Sequence, residues 1–491
     1  LTARLPGVRV EMINLGMTAV NSYTIRDLTR HVRRMEPDAV VIYAGHNEYY
    51  GALGVGSTPS IAPKGVWFGR LQLLLKRSAL YLAIERVLLG PPDYGLGPKS
   101  NARTLMSRVV RDAGITYDGE RYAAGLRQFE NNMDAVLEEF EDADIPVFAG
   151  TLVANLSGQA PLSDNPDAMA AFERGRELLS AGDVDAARSA FRDAMNLDAI
   201  RFRAPTAVNE RIRSWSERDG VSVVDLEPVF RAASDEGIPG YDLFTDHLHP
   251  TLEGYDLMAG AFFENMEAHP VVSGLADDDR ITIPWDERAG SDAFSLASAD
   301  ILIERLLSDY PFRKNVAEDS TTVEYARELA VRKSSGRLGD SLAAVVMTSP
   351  MSIQAALNEG ARLSLARGDS LAAMRYYASL FHWQPFNAQL MQNAVAAGLA
   401  SAARDSVVER LALFGANRTG DAFFWNALAV TQLRQGRLES AGAALKRAAL
   451  IDPDSPVMLY NRARMHLAAG DSAAARRDLD RFRAAQRRAG Q

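Results

Sequence analysis

Ala39-Val40-Val41-Ile42-Tyr43-Ala44-Gly45-His46-Asn47-Glu48 opens as an apolar run rich in β-branched residues and ends in a glycine followed by three polar side chains. A run without polar alternation suits a strand buried on both faces of a parallel sheet, and the polar residues then fall at its C-terminal end. Val8–Asn14, Ile145–Leu152 and Val221–Leu226 have the same character. Ile25, Leu28, Val32 and Met35 fall at helical spacing, as do Leu126, Phe129, Met133, Val136, Leu137 and Phe140. These are the crossover helices that parallel strands require. Tyr255, Met258, Phe262 and Met266 mark one more helix. The expected fold is α/β, a three-layer α/β/α domain over residues 1–270.

Residues 271–300, with Asp-Asp-Asp at 277–279, Pro284 and several serines, lack a clean period and read as a connector. Over 301–491 the character changes. Gly436 and Gly470 are 34 residues apart, Gly368 lies 68 before Gly436, and alanines recur in register around each: Ala361 and Ala373, Ala429 and Ala441, Ala463 and Ala475. Ala402 stands where a degenerate middle copy would have its glycine. A further copy, Gly175-x6-Gly182-Asp183-x3-Ala187, lies upstream and predicts a helical hairpin inserted at about 165–203 of the first domain. A 34-residue period of this form resembles the tetratricopeptide repeat, whose small residues let two helices touch and whose glycine turns the chain between them. The resemblance implies an all-α solenoid with a groove for a peptide or protein.

The composition narrows the function. There are 54 Lys+Arg against 63 Asp+Glu, a net charge of −9, and no cysteine. The acidic balance argues against a general nucleic-acid binder, whose affinity rests on clustered Lys and Arg. The one dense basic run, six arginines between Arg476 and Arg488, reads as the solvated face of a last helix. Without cysteine there is no disulfide framework, iron–sulfur cluster, thiolate zinc site or cysteine nucleophile. Val66–Gly90 is apolar but broken by Arg70, Lys76, Arg77, Glu85 and Arg86, so it cannot supply the ~18 uncharged residues of a membrane span. It reads as an amphipathic helix packed on the domain, with a lid or a membrane-interface helix as alternatives.

Three segments stand near the C-terminal ends of expected strands or just before the last helix: Ile13–Ser22, Tyr43–Glu48 and Thr245-Asp246-His247-Leu248-His249-Pro250. Open α/β sheets bind ligands at such ends. Three residues' separation on a turn lets the Asp246 carboxylate hold one nitrogen of His249 while the other faces a nucleophile. Gly16 offers a backbone donor and Asn47 a carboxamide, each worth about 3 kcal/mol to an acyl-transfer transition state. Taken singly, each has an ordinary alternative: Asp246 a helix cap beside a surface histidine, Gly16 a turn, Asn47 a loop cap. Asp246, His247 and His249 could also be read as metal ligands, but they lack a convincing further partner, and no metal or other cofactor is expected. His46 is expected to hydrogen-bond locally, and Asp225 to cap a helix or loop.

In that order the segments resemble the SGNH (GDSL-type) hydrolase superfamily. Gly16 matches its oxyanion glycine, Asn47 its oxyanion asparagine, with Glu48 where an aspartate is usual, and Asp246 and His249 match its Asp-x-x-His. The resemblance implies a flavodoxin-like sheet of order 2-1-3-4-5 and a serine nucleophile after a first strand, ahead of Gly16. Only seven residues precede Val8, so the chain is expected to be N-terminally truncated, with that first strand absent and the nucleophile upstream of Leu1. Ser22 and Ser157 sit in the wrong segments. The expectation is a serine esterase or acyl hydrolase acting on an ester-containing small molecule or glycan. The alternatives are O-acyl transfer on the same fold and a catalytically inactive interaction scaffold. The two-part layout also resembles bacterial envelope proteins tethered through an upstream apolar segment, which implies association with a membrane.

Overall fold

The computed structural model describes residues 12–17, 19–51, 53–56, 114–273, 292–307, 312, 336–384, 386–401 and 405–489. Val66–Gly90 and Asp277–Asp279 lie outside the described residues, as does most of Val8–Asn14. The chain divides into two compact units, Leu1–Ile283 with Ile303–Val323, and Pro284–Leu302 with Glu324–Gln491.

In the first unit three expected strands form: β1 (Val40–Ile42), β2 (Val147–Gly150) and β3 (Val221–Val224). They pair in parallel in the order β1-β2-β3, with Val40 opposite Val147 and Val147 opposite Val221. The described end of the other expected strand, Met12–Asn14, is irregular, with Met12 and Ile13 exposed. Neither a ladder nor a covering layer meets it among the described residues, and an apolar run without either has no reason to stay extended. Val41 in β1 is likewise half exposed.

The period of two along β2 sorts its side chains between two layers. Val147 and Ala149 join Phe129, Met133, Val136, Leu137 and Phe140 of one crossover helix, together with Val208, Ile212 and Trp215. Phe148 points the other way, into Val224, Leu226, Phe230, Met258, Phe262 and Met266. The helices concerned are α1 (Ser22–Arg33), α2 (Glu120–Glu141), α3 (Pro166–Ser180), α4 (Val184–Leu197), α5 (Thr206–Ser214), α6 (Leu226–Ala233) and α7 (Leu252–Glu267). Asp225 caps α6, accepting from the Glu227 N–H, and also pairs with Arg213 at 3.0 Å, as expected of a residue ending its strand. Each fully buried Phe or Met contributes roughly 1.5–3 kcal/mol, so the two apolar layers hold the sheet and leave its strand-end loops free for chemistry.

α3 and α4 pack on each other inside this unit. The Phe191 ring lies where a Cβ on Gly175 would sit, at 2.8 Å, so that glycine sets how closely the two helices approach. The turn between them repeats in the second unit, whose helices are α8 (Ala293–Leu307), α9 (Leu338–Thr348), α10 (Ile353–Ala366), α11 (Ser370–Trp383), α12 (Ala388–Ser401), α13 (Asp405–Thr419), α14 (Ala422–Arg434), α15 (Leu438–Ile451), α16 (Pro456–Ala468) and α17 (Ser472–Ala489). Gly182, Gly368, Gly436 and Gly470 all have φ between 74° and 83°. At each, the next residue's N–H reaches back five residues: Asp183 to Leu178, Asp369 to Ser364, Arg437 to Gln432, Asp471 to His466. This is the Schellman helix stop, which needs the left-handed backbone that glycine tolerates. In three of the four, the aspartate then accepts from the N–H three residues on and starts the next helix. Ala402 of the degenerate copy lies outside the described residues, yet α12 and α13 form on either side of it. The second unit's core is correspondingly rich in alanine, including Ala361, Ala373, Ala394, Ala429, Ala441 and Ala448.

Gly436→Ala forces a Cβ into the left-handed region and is expected to destabilise the protein by about 1 kcal/mol. Gly260→Ala, in the interior of α7 with open space around the new methyl, is expected to stabilise it by up to about 1 kcal/mol. Urea denaturation of the two variants should show midpoints moving in opposite directions.

Candidate active site

Thr245–Pro250 forms a closed loop directly ahead of α7. Phe244 bridges Pro250, and the Thr245 N–H and hydroxyl both donate to the His249 carbonyl, at 2.8 and 3.0 Å. Inside the loop Asp246 is 1% exposed. Its Oδ1 accepts from the N–H groups of Leu248 and His249, at 2.8 and 2.7 Å, and its Oδ2 meets His249 Nδ1 at 2.7 Å. Burial alone would raise the carboxyl's pKa, but its interactions with the two neighbouring histidines overcome it and hold Asp246 well below the usual carboxylate range. The same bond raises the pKa of His249, against the opposing effect of burial. With Nδ1 bound to the carboxylate, the Nε2 lone pair is free, and the imidazole side chain is 56% exposed. A general base has this tautomer and this access.

Asn155, beyond β2, clamps the loop from beneath. Its Nδ2 donates to the Asp246 carbonyl at 3.0 Å and its N–H to the His247 carbonyl at 3.1 Å. Arg203, itself buried, donates to the Asn155 carbonyl at 2.9 Å. His247 is fully buried, its ring 5.6 Å from that of Phe202 and 5.0 Å from that of Phe312, with no hydrogen bond to either nitrogen. Its nearest carboxylate contact, Asp246 Oδ1 at 3.4 Å, is long, and burial lowers its pKa despite that neighbour.

The second segment begins at Gly45, whose φ is +152° and whose missing Cβ would lie 2.6 Å from the Leu152 side chain. Glycine is required there on both counts. His46 follows, buried, and its bond is not the local one expected: its Nδ1 accepts from the distant Ala204 N–H at 3.1 Å, so its proton sits on Nε2. Burial, reinforced by His247 and His249, pushes its pKa down to about 3. That coupling places His46 within electrostatic reach of the Asp246 loop. Asn47, next along, is exposed, and its carboxamide makes no hydrogen bond among the described residues. Glu48 turns inward and is completely buried.

Gly16 stands differently. It is exposed, and its N–H donates to the Asn14 side chain at 2.8 Å. Its segment reaches the second one six residues later, where Ser22 donates to Glu48. The described contacts thus join the His46–Glu48 loop to the Asp246–His249 loop through Ala204, Phe202 and His247, and to the first segment through Ser22; none places Gly16 beside the imidazole. Ser22 Oγ is buried against Glu48, and Ser157 Oγ lies at 3.4 Å from the Ile238 and Pro239 carbonyls. Among the described residues, no group of three or more acidic or histidine side chains could hold a metal ion.

Sequence reading missed the supporting residues. Asn155, Phe202, Arg203 and Phe312 carry no motif, and nothing in their spacing could have found them. Glu48 was visible only as a departure from the family pattern. Tyr241 and Tyr255, both partly exposed, have pKa values raised first by burial and further by the nearby Asp246 charge.

A parallel sheet with a carboxylate-supported imidazole in the loop ahead of α7, followed by paired helices on a recurring turn, defines a hydrolase-type α/β domain with a helical-repeat region. The model of the GDSL-like lipase/acylhydrolase family matches residues 1–257, and the chain belongs to that family. The tetratricopeptide repeat model matches residues 424–455, around Gly436. No curated protein matches the chain.

The buried histidines make stability depend on pH. His46 and His247 have folded pKa values below the ordinary value near 6.5, so their contribution is complete above that pH and is lost as pH falls through it. Over the two units below 6.5, His46 alone accounts for about 3 kcal/mol. His249 works in the opposite sense, stabilising at low pH and less as pH rises through its raised pKa, but its exposed ring makes that contribution small. Asp246 stays ionised throughout this window. The melting temperature should therefore fall from pH 7 to about 4.5, and His46→Gln, uncharged at every pH, should flatten the dependence.

Proposed function

We propose that this protein is a serine esterase or acyl hydrolase of SGNH type acting on an ester bond. The observation that carries the reading is the 2.7 Å contact between a buried carboxylate and the Nδ1 of an exposed imidazole. In this reading a serine upstream of Leu1 attacks the ester carbonyl, since neither Ser22 nor Ser157 has its hydroxyl at His249. His249 takes the hydroxyl proton at Nε2 and returns it to the leaving alcohol, while Asp246 keeps the ring oriented and stabilises the imidazolium. Asn47, exposed and with no hydrogen bond to its carboxamide among the described residues, donates to the oxyanion. Gly16 supplies the second donor once its N–H exchanges the Asn14 oxygen for substrate. The repeat region, by its family, holds a peptide or protein.

One observation favours the competing reading of an inactive interaction scaffold: the Gly16 amide is already engaged by Asn14. Labelling of the protein expressed from its whole reading frame with a fluorophosphonate separates the two. Wild type should label covalently, His249→Ala should not, and Asp246→Asn should hydrolyse p-nitrophenyl acetate roughly 10³–10⁴-fold more slowly. Absence of labelling in wild type overturns the hydrolase reading.

A further inference from the structure

We propose that Glu48 is a positioning residue for the oxyanion donors, holding the loop that carries Asn47 against the segment that carries Gly16. This rests on the acyl-hydrolase reading above.

Glu48 is 0% exposed, yet every contact to its side chain is a donor. Ser22 gives it two hydrogen bonds, N–H to Oε2 at 3.1 Å and Oγ to Oε1 at 2.7 Å. Gln128 Nε2, from α2, donates to Oε1 and also to the Glu48 backbone carbonyl at 3.2 Å. The direction of the Ser22 hydroxyl is fixed in turn, because Asn132 Nδ2 donates to it at 3.0 Å. Three donations to the carboxylate, from Ser22 and Gln128, suit its ionised form, which only accepts. The pKa of Glu48 is raised overall, because burial outweighs the opposing hydrogen bonds from Ser22 and Gln128. Ser22 is the first residue of α1, so the charge also sits at the positive end of that helix.

The consequence for the site is mechanical. Asn47 is the residue before Glu48, and its carbonyl accepts from the Gly51 N–H at 2.7 Å, closing the loop. A Cβ on Gly51 would lie 2.8 Å from Asn21 Cβ and 3.0 Å from the Ala19 carbonyl, so the two segments are in close contact beside the carboxylate. Tyr49, buried with its ring over Gly125 of α2, anchors the same loop from the other side. The exposed Asn47 carboxamide makes no hydrogen bond among the described residues, and a displacement of about 1 Å in such a donor costs roughly 10²-fold in rate. Glu48 therefore aims a group that it does not touch.

The test is a double-mutant cycle on p-nitrophenyl acetate hydrolysis by the full-length protein, with kcat and KM measured separately. Glu48→Gln keeps the shape but turns an N–H₂ group towards donors. It should lower kcat about 10–100-fold with KM within about twofold, and in an Asn47→Ala background the same substitution should cost no more than about threefold. A loss that persists undiminished in that background, a loss in KM alone, or no loss overturns the proposal while leaving the hydrolase reading standing. If Glu48→Gln does not fold, Ser22→Ala, which keeps the carboxylate and removes one donor, carries the same cycle with the same outcomes. Wild-type protein that neither hydrolyses the ester nor labels with a fluorophosphonate overturns the hydrolase reading, and this proposal with it.

Discussion

A carboxylate kept ionised out of water organises the candidate site. Asp246 is buried to 1% exposure, where an unpaired charge would be strongly disfavoured, and it persists because two backbone N–H groups and the His249 imidazole surround it. The same donors fix the loop's shape. Binding the carboxylate, closing the loop and selecting the tautomer of His249 are one physical event. Removing the charge would release all three together.

The surrounding loops are held by buried polar groups rather than by the sheet. Asn155 and Arg203 secure the Asp246–His247 backbone, the Ala204 amide secures His46, and Ser22, itself held by Asn132, converges with Gln128 on Glu48. Such networks stabilise when fully satisfied and are costly when one member is lost. They join segments more than one hundred residues apart in sequence, such as His46 with Ala204. His247 has no hydrogen bond to either nitrogen, and its burial among aromatic rings keeps it neutral beside the anion.

The repeat region follows a simpler logic. One turn, a left-handed glycine after a helix and in most copies an aspartate starting the next, recurs at Gly368, Gly436 and Gly470, and at Gly182 within the hydrolase-type unit. The turn is local and can be written into any chain, which is why the same device stands inside a different fold. Alanines and glycines along the helices then decide how closely neighbours pack, as with Gly415 against the Phe424 ring.

Much of this was legible in the sequence because it depends on neighbours in the chain. Apolar runs placed β1, β2 and β3, helical spacing placed α1, α2 and α7, and glycine period placed the turns. The Asp-x-x-His spacing showed that Asp246 and His249 could meet, since three residues on a turn bring the groups together whatever lies around them. The local pattern failed where a partner was needed: Met12–Asn14 is as apolar as the other strands, but nothing among the described residues pairs with it. Tertiary structure alone decided that Glu48 is buried while Asn47 beside it is exposed, and that His247 is enclosed by Phe202 and Phe312. Burial and the supply of donors from distant segments set which polar groups are charged, free or spent, and no spacing along the chain records them.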